Sequence, residues 1–302
     1  MSICVLGSIN RDIVARVTTL PRPGETVAAT GVMLLAGGKG ANQAIAASRM
    51  GVPTRMIGAV GDDPDGAALT AYLAAQGVAT ATIKRHADAP TGTAYIALDD
   101  AGQNQIIVNA GANAMVDAAA AAAIRPSDRV FLAQLEVPVA AVAAFFAAAG
   151  AAGGRRMLNA APARPEGASL FAATDVMIFN QTELASYLDL AGEPDSAEDA
   201  LVARRLFTRP DQVAVVTLGA RGAVLVTPDD MSVAPGRPVR VVDTTGAGDC
   251  FCGVLAAGLA QDLPIGRALA LANLAGSLCV GRIGAGPAMP TRAEIEALAL
   301  AI

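Results

Sequence analysis

The sequence contains no tryptophan, a single histidine and only 3% aromatic residues over 302 positions. One imidazole argues against chemistry that needs a histidine base or a histidine-rich metal site. That residue, His86, lies in the polar stretch Lys84-Arg85-His86-Ala87-Asp88 and reads as an exposed loop residue. Charged residues are sparse at 16%, and the 22 basic and 27 acidic side chains give a net charge of -5 with no basic block. Broad binding to nucleic acid or to an anionic membrane is therefore not expected, although a few fixed groups can still hold a small anion. The four cysteines, Cys4, Cys250, Cys252 and Cys279, are scattered, and Cys250-Phe251-Cys252 has the wrong spacing for a zinc knuckle. They read as small buried hydrophobes in a reducing compartment.

Targeting signals are also missing. Met1–Gly7 has neither a charged n-region nor a long apolar h-region. The longest uncharged stretch, Val137–Gly154, is mostly alanine and glycine, contains Pro138 and is bordered by Glu136 and Arg155. It reads as a buried or half-buried helix stopped at Gly150 rather than a membrane span. A soluble cytoplasmic protein is expected.

Hydrophobic residues make up 53%, enough for a deep core. Short β-like runs alternate with alanine-rich helical stretches, the pattern of a mainly parallel sheet covered by helices. Strands are expected at 3–7, 55–61, 130–135, 156–159, 175–179 and 213–217. Helices are expected at 40–50, 65–76, 116–124, 139–149, 181–188, 197–206, 247–260 and 263–279. Two regions break the alternation: strand-like 13–17 and 26–34 around Pro21-Arg22-Pro23-Gly24, and 93–98 and 105–109 around Asp99-Asp100-Ala101-Gly102. Neither carries a crossover helix, so both can leave the main sheet as a small β flap.

Chemistry concentrates in Asp243-Thr244-Thr245-Gly246-Ala247-Gly248-Asp249, which opens an apolar helix. Gly246, Ala247 and Gly248 let free backbone N–H groups converge on an anion, with the helix dipole behind them. Asp249 in the first turn then supplies a carboxylate beside an anion hole, the pairing that phosphoryl transfer to a hydroxyl requires. A second glycine-rich loop, Ala36-Gly37-Gly38-Lys39-Gly40-Ala41-Asn42-Gln43, is not a Walker A loop, because Ala41 follows Gly40 where a magnesium-binding hydroxyl is needed. Lys39 and Asn42 offer donors to a polyhydroxylated ligand. Asn10 and Asp12 follow the first strand, Glu136 follows the apolar 130–135 strand, and Asn180 with Glu183 ends another and can hold a hydrated Mg²⁺. Each of these alone is an ordinary cap or loop residue; their repeated placement at strand ends is the signal.

These pieces, together with Pro23-Gly24-Glu25-Thr26, Gly58–Asp62 and Asn159-Ala160-Ala161-Pro162-Ala163-Arg164, resemble the PfkB carbohydrate kinase family, and within it the ribokinases. The resemblance runs in order from Gly7 to about Pro290. It implies an α/β fold, a ribokinase-like three-layer α/β/α sandwich with a mainly parallel sheet plus a small β-sheet lid. The implied organisation is one domain over 1–302 with the lid at about 11–36 and 92–110. It also implies ATP-dependent phosphorylation of ribose at its primary hydroxyl with Asp249 as base and Gly246, Ala247 and Gly248 as anion hole. Asn10, Asp12, Gly38, Lys39, Asn42, Glu136 and Asp249 would hold the sugar, and Asn180, Thr217, Gly219, Gly222, Gly248 and Asn273 the ATP. An activating K⁺ would be held by Asp243, Thr245, Cys279, Arg282, Gly284 and Ala288, mostly through carbonyls, and Mg²⁺ through water by Glu183. The lid would form a homodimer contact.

Two departures stand out: Asn159-Ala160-Ala161-Pro162 where the family usually reads Asn-Pro-Ala-Pro, and Ala288 where a serine often offers a hydroxyl to the cation. The alternatives are another sugar or a nucleoside as acceptor, the latter disfavoured by the scarcity of aromatics for a stacking wall. A dinucleotide-binding oxidoreductase is opposed by Gly7-Ser8-Ile9-Asn10, which does not make G-x-G-x-x-G. A catalytically dead sugar-binding regulator is opposed by the retention of Asp249.

Overall fold

The computed structural model describes residues 2–300; residues 1, 301 and 302 of the expected 1–302 domain lie outside the described residues. Thirteen strands form among these residues: β1 (Ser2–Leu6), β2 (Asn10–Arg16), β3 (Gly31–Gly37), β4 (Thr54–Gly61), β5 (Val78–His86), β6 (Gly92–Leu98), β7 (Asn104–Asn109), β8 (Asp128–Ala133), β9 (Arg155–Asn159), β10 (Val176–Asn180), β11 (Val213–Thr217), β12 (Gly222–Val226) and β13 (Met231–Pro235). The helices are α1 (Lys39–Arg49), α2 (Pro64–Ala75), α3 (Val139–Ala151), α4 (Gln181–Leu188), α5 (Ala197–Ala200), α6 (Ala247–Ala260), α7 (Ile265–Cys279) and α8 (Arg292–Leu300).

Nine strands make the main sheet in the order β13-β12-β11-β10-β9-β8-β1-β4-β5. It is parallel from β11 to β5, with β12 and β13 added antiparallel at one edge. Central strands are covered on both faces, so they read as unbroken apolar runs. Their side chains alternate between two cores: Ile3, Val5, Val130, Leu132, Met157 and Ile178 point to one, and Cys4, Leu6, Phe131, Ala133, Leu158 and Phe179 to the other. The first core is filled by α1, α6 and α7, the second by α3 and α4. Phe131 meets Phe145 of α3 edge-on at 5.6 Å. Helices α1 and α6 cross closely at Gly253, where a Cβ would stand 2.4 Å from the Gln43 carbonyl oxygen.

The flap forms as a separate four-stranded sheet in the order β3-β2-β6-β7. Its first half differs from expectation: the strand expected at 26–34 is Gly31–Gly37, because β3 pairs with β2 from Gly31 opposite Arg16 to Gly37 opposite Asn10. Asn10 and Asp12 thereby belong to the lid sheet itself.

Other expectations fail for local reasons. The helix expected at 116–124 is a 3-10 segment at Ala118–Ala123, capped by the Asp117 side chain. Only Ala120 of its six alanines is buried, so no apolar face anchors a longer α-helix. The helix expected at 197–206 becomes 3-10 from Leu201, with buried Ala200 and Ala203 in line at a spacing of three. Strands β5, β12 and β13 and helix α8 were not expected. His86 ends β5 half-buried rather than sitting in an exposed loop. No helix among the described residues is long and apolar enough to cross a membrane.

Candidate active site

The parallel strands end on one side of the sheet, where loops from different strands converge as in open α/β folds. Asn159, Asn180 and Thr217 are the last residues of β9, β10 and β11. Glu136 follows β8, and Ser8 follows β1. Opposite them, α6 begins at Gly246, whose φ of 77° suits a residue without a Cβ. Asp249 follows in its first turn and is 8% exposed.

The Asp249 carboxylate is held from two sides by consecutive residues of α1. Asn42 Nδ2 donates to one oxygen at 2.9 Å and Gln43 Nε2 to the other at 3.0 Å. Gln43 Nε2 also donates to Asn159 Oδ1 at 3.0 Å, while its own Oε1 accepts from Gln134 Nε2 at 2.6 Å. A chain of amides thus fixes the carboxylate, and Asn42 Oδ1 is left buried with no partner. Burial pushes the Asp249 carboxyl above the usual carboxylate range, with the Lys39 charge and the Asn42 and Gln43 bonds opposing it.

On the lid side, Asn113 Nδ2 donates to Asn10 Oδ1 at 2.7 Å, while Asn113 Oδ1 accepts from the Ile9 N–H at 2.9 Å. Gly38 caps α1 against the Ser8 and Asn10 backbone. Glu136 accepts from Ser8 Oγ at 2.5 Å and from the Lys39 N–H at 3.1 Å, with Lys39 Nζ 4.0 Å away. Burial raises the Asp12 carboxyl to about 7, and the nearby Glu136 and Asp249 charges add to the effect. Burial alone would lower Lys39, but the charges of Asp249, Glu136 and Glu183 outweigh it and keep the ammonium protonated. Asn10, Asp12, Gly38, Lys39, Asn42, Glu136 and the α6 turn that carries Asp249 therefore gather in one place.

Two cavities meet here. One, of about 210 Å³, is lined by Lys39, Asn180, Glu183, Gly246 and Asp249 among others. The second, of about 680 Å³, is lined by Gly219, Gly222, Asn273 and largely apolar neighbours. Thr217 and Gly248 line both. Asn273 uses Nδ2 to donate to the Pro235 carbonyl at 2.8 Å, so it also holds the end of β13.

The expected anion hole is altered in one respect. The Ala247 N–H donates to the Thr244 carbonyl at 3.2 Å, leaving the Gly246 and Gly248 amides as the open donors. Residues that the sequence reading assigned no role are Asn113, Gln43, Gln134, Ser8 and Asn159. Gln43, Ser8 and Asn159 stood within quoted motifs and Gln134 within the expected 130–135 strand; Asn113 stands alone among small residues after the second lid hairpin.

Asp243 ties two loops together, accepting from Thr245 N–H at 2.9 Å and Gly284 N–H at 2.8 Å. Burial would raise its carboxyl, but these donors outweigh it and hold it low. Arg282 turns its guanidinium to Glu294 at 2.5 Å, and the Cys279 carbonyl accepts from the Arg282 N–H at 3.0 Å. Ala288 is buried and offers no hydroxyl.

The arrangement is a carboxylate and two open amides at the junction of a polar cavity and a longer apolar one. The sequence model described as "pfkB family carbohydrate kinase" matches residues 1–292. The chain belongs to the pfkB family of carbohydrate kinases. Among its family relatives, the Bacillus subtilis ribokinase is 36% identical over 98% of this chain and 99% of its own length. A bifunctional ribokinase/ribose-5-phosphate isomerase A from Fructilactobacillus sanfranciscensis is 41% identical over 97% of this chain, which spans 55% of that relative's length. A solved structure of Arabidopsis thaliana ribokinase complexed with ribose and ATP superposes with a TM-score of 0.87 at 29% identity, covering 98% of each chain. The family's α/β fold with a separate small sheet and its ATP-dependent sugar kinase chemistry accord with this geometry.

Proposed function

We propose that this chain is a ribokinase, transferring the γ-phosphoryl group of ATP to the primary hydroxyl of ribose. The observation that carries the reading is Asp249 at the meeting point of the two cavities, its carboxylate held by Asn42 and Gln43 beside the open amides of Gly246 and Gly248.

Asp12, Glu136, Asn10 and Lys39 bind the sugar hydroxyls, with the free Asn42 oxygen accepting one more. Gly38 lets the loop backbone approach the ligand. Asp249 accepts the proton of the reacting hydroxyl; its raised pKa makes it a stronger base than an exposed aspartate. The Gly246 and Gly248 amides, at the positive end of α6, stabilise charge on the transferring group. Thr217, Gly219, Gly222, Asn180 and Asn273 line the path of the nucleotide.

Glu183 Oε2 accepts from the Asn180 N–H and Asn180 Oδ1 from the Glu183 N–H, so Glu183 Oε1 is the hard oxygen left for an Mg²⁺ held mainly by phosphate and water. When bound, that ion offsets charge between the phosphates. The carbonyl-rich loops tied by Asp243 fit a monovalent cation held by Asp243, Thr245, Cys279, Arg282, Gly284 and Ala288 through backbone oxygens, without the hydroxyl that a serine at 288 would add.

The four buried, free cysteines support a cytoplasmic setting. The outer lid face supports a homodimer. Leu34, Ile13, Tyr95 and Ile107 form one row across the sheet, with Leu34, Tyr95 and Ile107 63%, 49% and 72% exposed. I107K is expected to shift the protein to monomer in light scattering.

The deciding assay is Mg-ATP turnover against ribose, deoxyribose, other sugars and nucleosides, each with and without K⁺. Selective turnover of ribose is expected. Selectivity for another acceptor would keep the mechanism and overturn the substrate.

A further inference from the structure

We propose that Arg237 grips the polyphosphate chain of the nucleotide, an inference that rests on the kinase reading above. Arg237 follows β13 and lines the 680 Å³ cavity. The Gly236 N–H donates to the Arg221 carbonyl at 2.9 Å, which anchors the segment before it enters the cleft. Its Nη1 is buried and has no hydrogen-bond partner. A guanidinium is always charged, and a buried donor without an acceptor is costly to maintain. Either property alone calls for an acceptor.

The surroundings say which kind. Among the described residues, Arg237 is the only charged side chain lining this cavity; the other polar ones are Thr217, Thr244, Asn273 and Ser277, and no carboxylate joins them. The α6 N-terminus adds further positive potential at Ala247 and Gly248. A neutral base or sugar edge would not match a cleft with one uncompensated cation, whereas a phosphate chain would. The cavity adjoins the Asp249 cavity only through Thr217 and Gly248. Arg237 therefore acts on the part of the nucleotide that stays behind, in binding and not in the transfer.

The test is calorimetric titration of the wild type, R237Q and R237K with ADP and with adenosine, alongside steady-state kinetics. In R237Q, ADP affinity is expected to fall about tenfold and the KM for ATP to rise similarly, with adenosine affinity, kcat and the KM for ribose unchanged. R237K, which keeps the charge but not the forked geometry, should fall between them. Unchanged ADP affinity in R237Q would overturn the assignment. An equal loss for adenosine and ADP would also overturn it, placing the guanidinium on the nucleoside. A wild type that binds neither ADP nor ATP would sink the kinase reading itself, an outcome separate from either of these.

Discussion

The two ends of the same parallel strands treat carboxylates in opposite ways. At the amino ends, Asp128 of β8 is buried among Ser2 of β1, Arg55 of β4 and the Arg125 N–H, and those partners outweigh burial and hold it below the usual range. Asp175, just before β10, is likewise gripped by Arg156 and Arg209. At the carboxyl ends, Glu136 after β8 and Glu183 after β10 meet Asp12 of the lid sheet and Asp249 of α6 around one ammonium, Lys39. Burial pushes Asp12, Glu183 and Asp249 upward there. Paired charge locks the frame at one end; at the other, several carboxyls share one ammonium.

This contrast can be broken, and the largest effect belongs to the frame. R55M strands Asp128 in the core and is expected to cost about 3–5 kcal/mol in chemical denaturation, with much of it recovered in R55M/D128L. No loss in the single variant would remove the frame half of the comparison. D249N should lower kcat by at least about 10²-fold while ADP still binds. Near-normal turnover would end its role as base.

Why these residues were legible and others not follows from the same geometry. Central strands announce themselves as apolar runs because both faces are covered, and glycine-rich turns before α1 and α6 mark where backbone groups approach closely. β5 and β13 lie at sheet edges, where polar residues blur the pattern. The Ala118–Ala123 run has helix propensity but nothing large to bury, so composition misleads. Asn113 reaches Asn10 across 103 positions, and no local pattern encodes such a contact. The loss of the Ala247 amide to Thr244 is a property of the turn, invisible in residue types.

A subtler consequence concerns pH. Asp12 has its carboxyl raised from 3.8 to about 7, so the folded protein holds a proton there that the unfolded chain releases. Its contribution to stability is full below about 4 and is lost as pH rises through about 7. Glu294 runs the other way: Arg282 and the Thr291 N–H lower it from 4.5 to about 2, so its contribution is present above the unfolded value and is lost as pH falls through about 2. D12N should flatten the fall in melting temperature of the ligand-free protein between pH 4 and 7. A profile identical to wild type would show that Asp12 is not strained by its neighbours. The smallest effect is expected from E136Q, which should raise the KM for ribose several-fold more than that for ATP; equal rises would remove Glu136 from the sugar site.

The close crossing of α1 and α6 at Gly253 makes the core a spacer gauge for the chemistry. Asn42 and Gln43 ride on one helix and Asp249 on the other, and the thickness of the contact between them is set where Gly253 meets Gln43 and Ala46. A single methyl inserted there would push one helix off the other and shift the donors that hold the carboxylate. A joint inside the molecule thus sets how Asn42 and Gln43 meet Asp249.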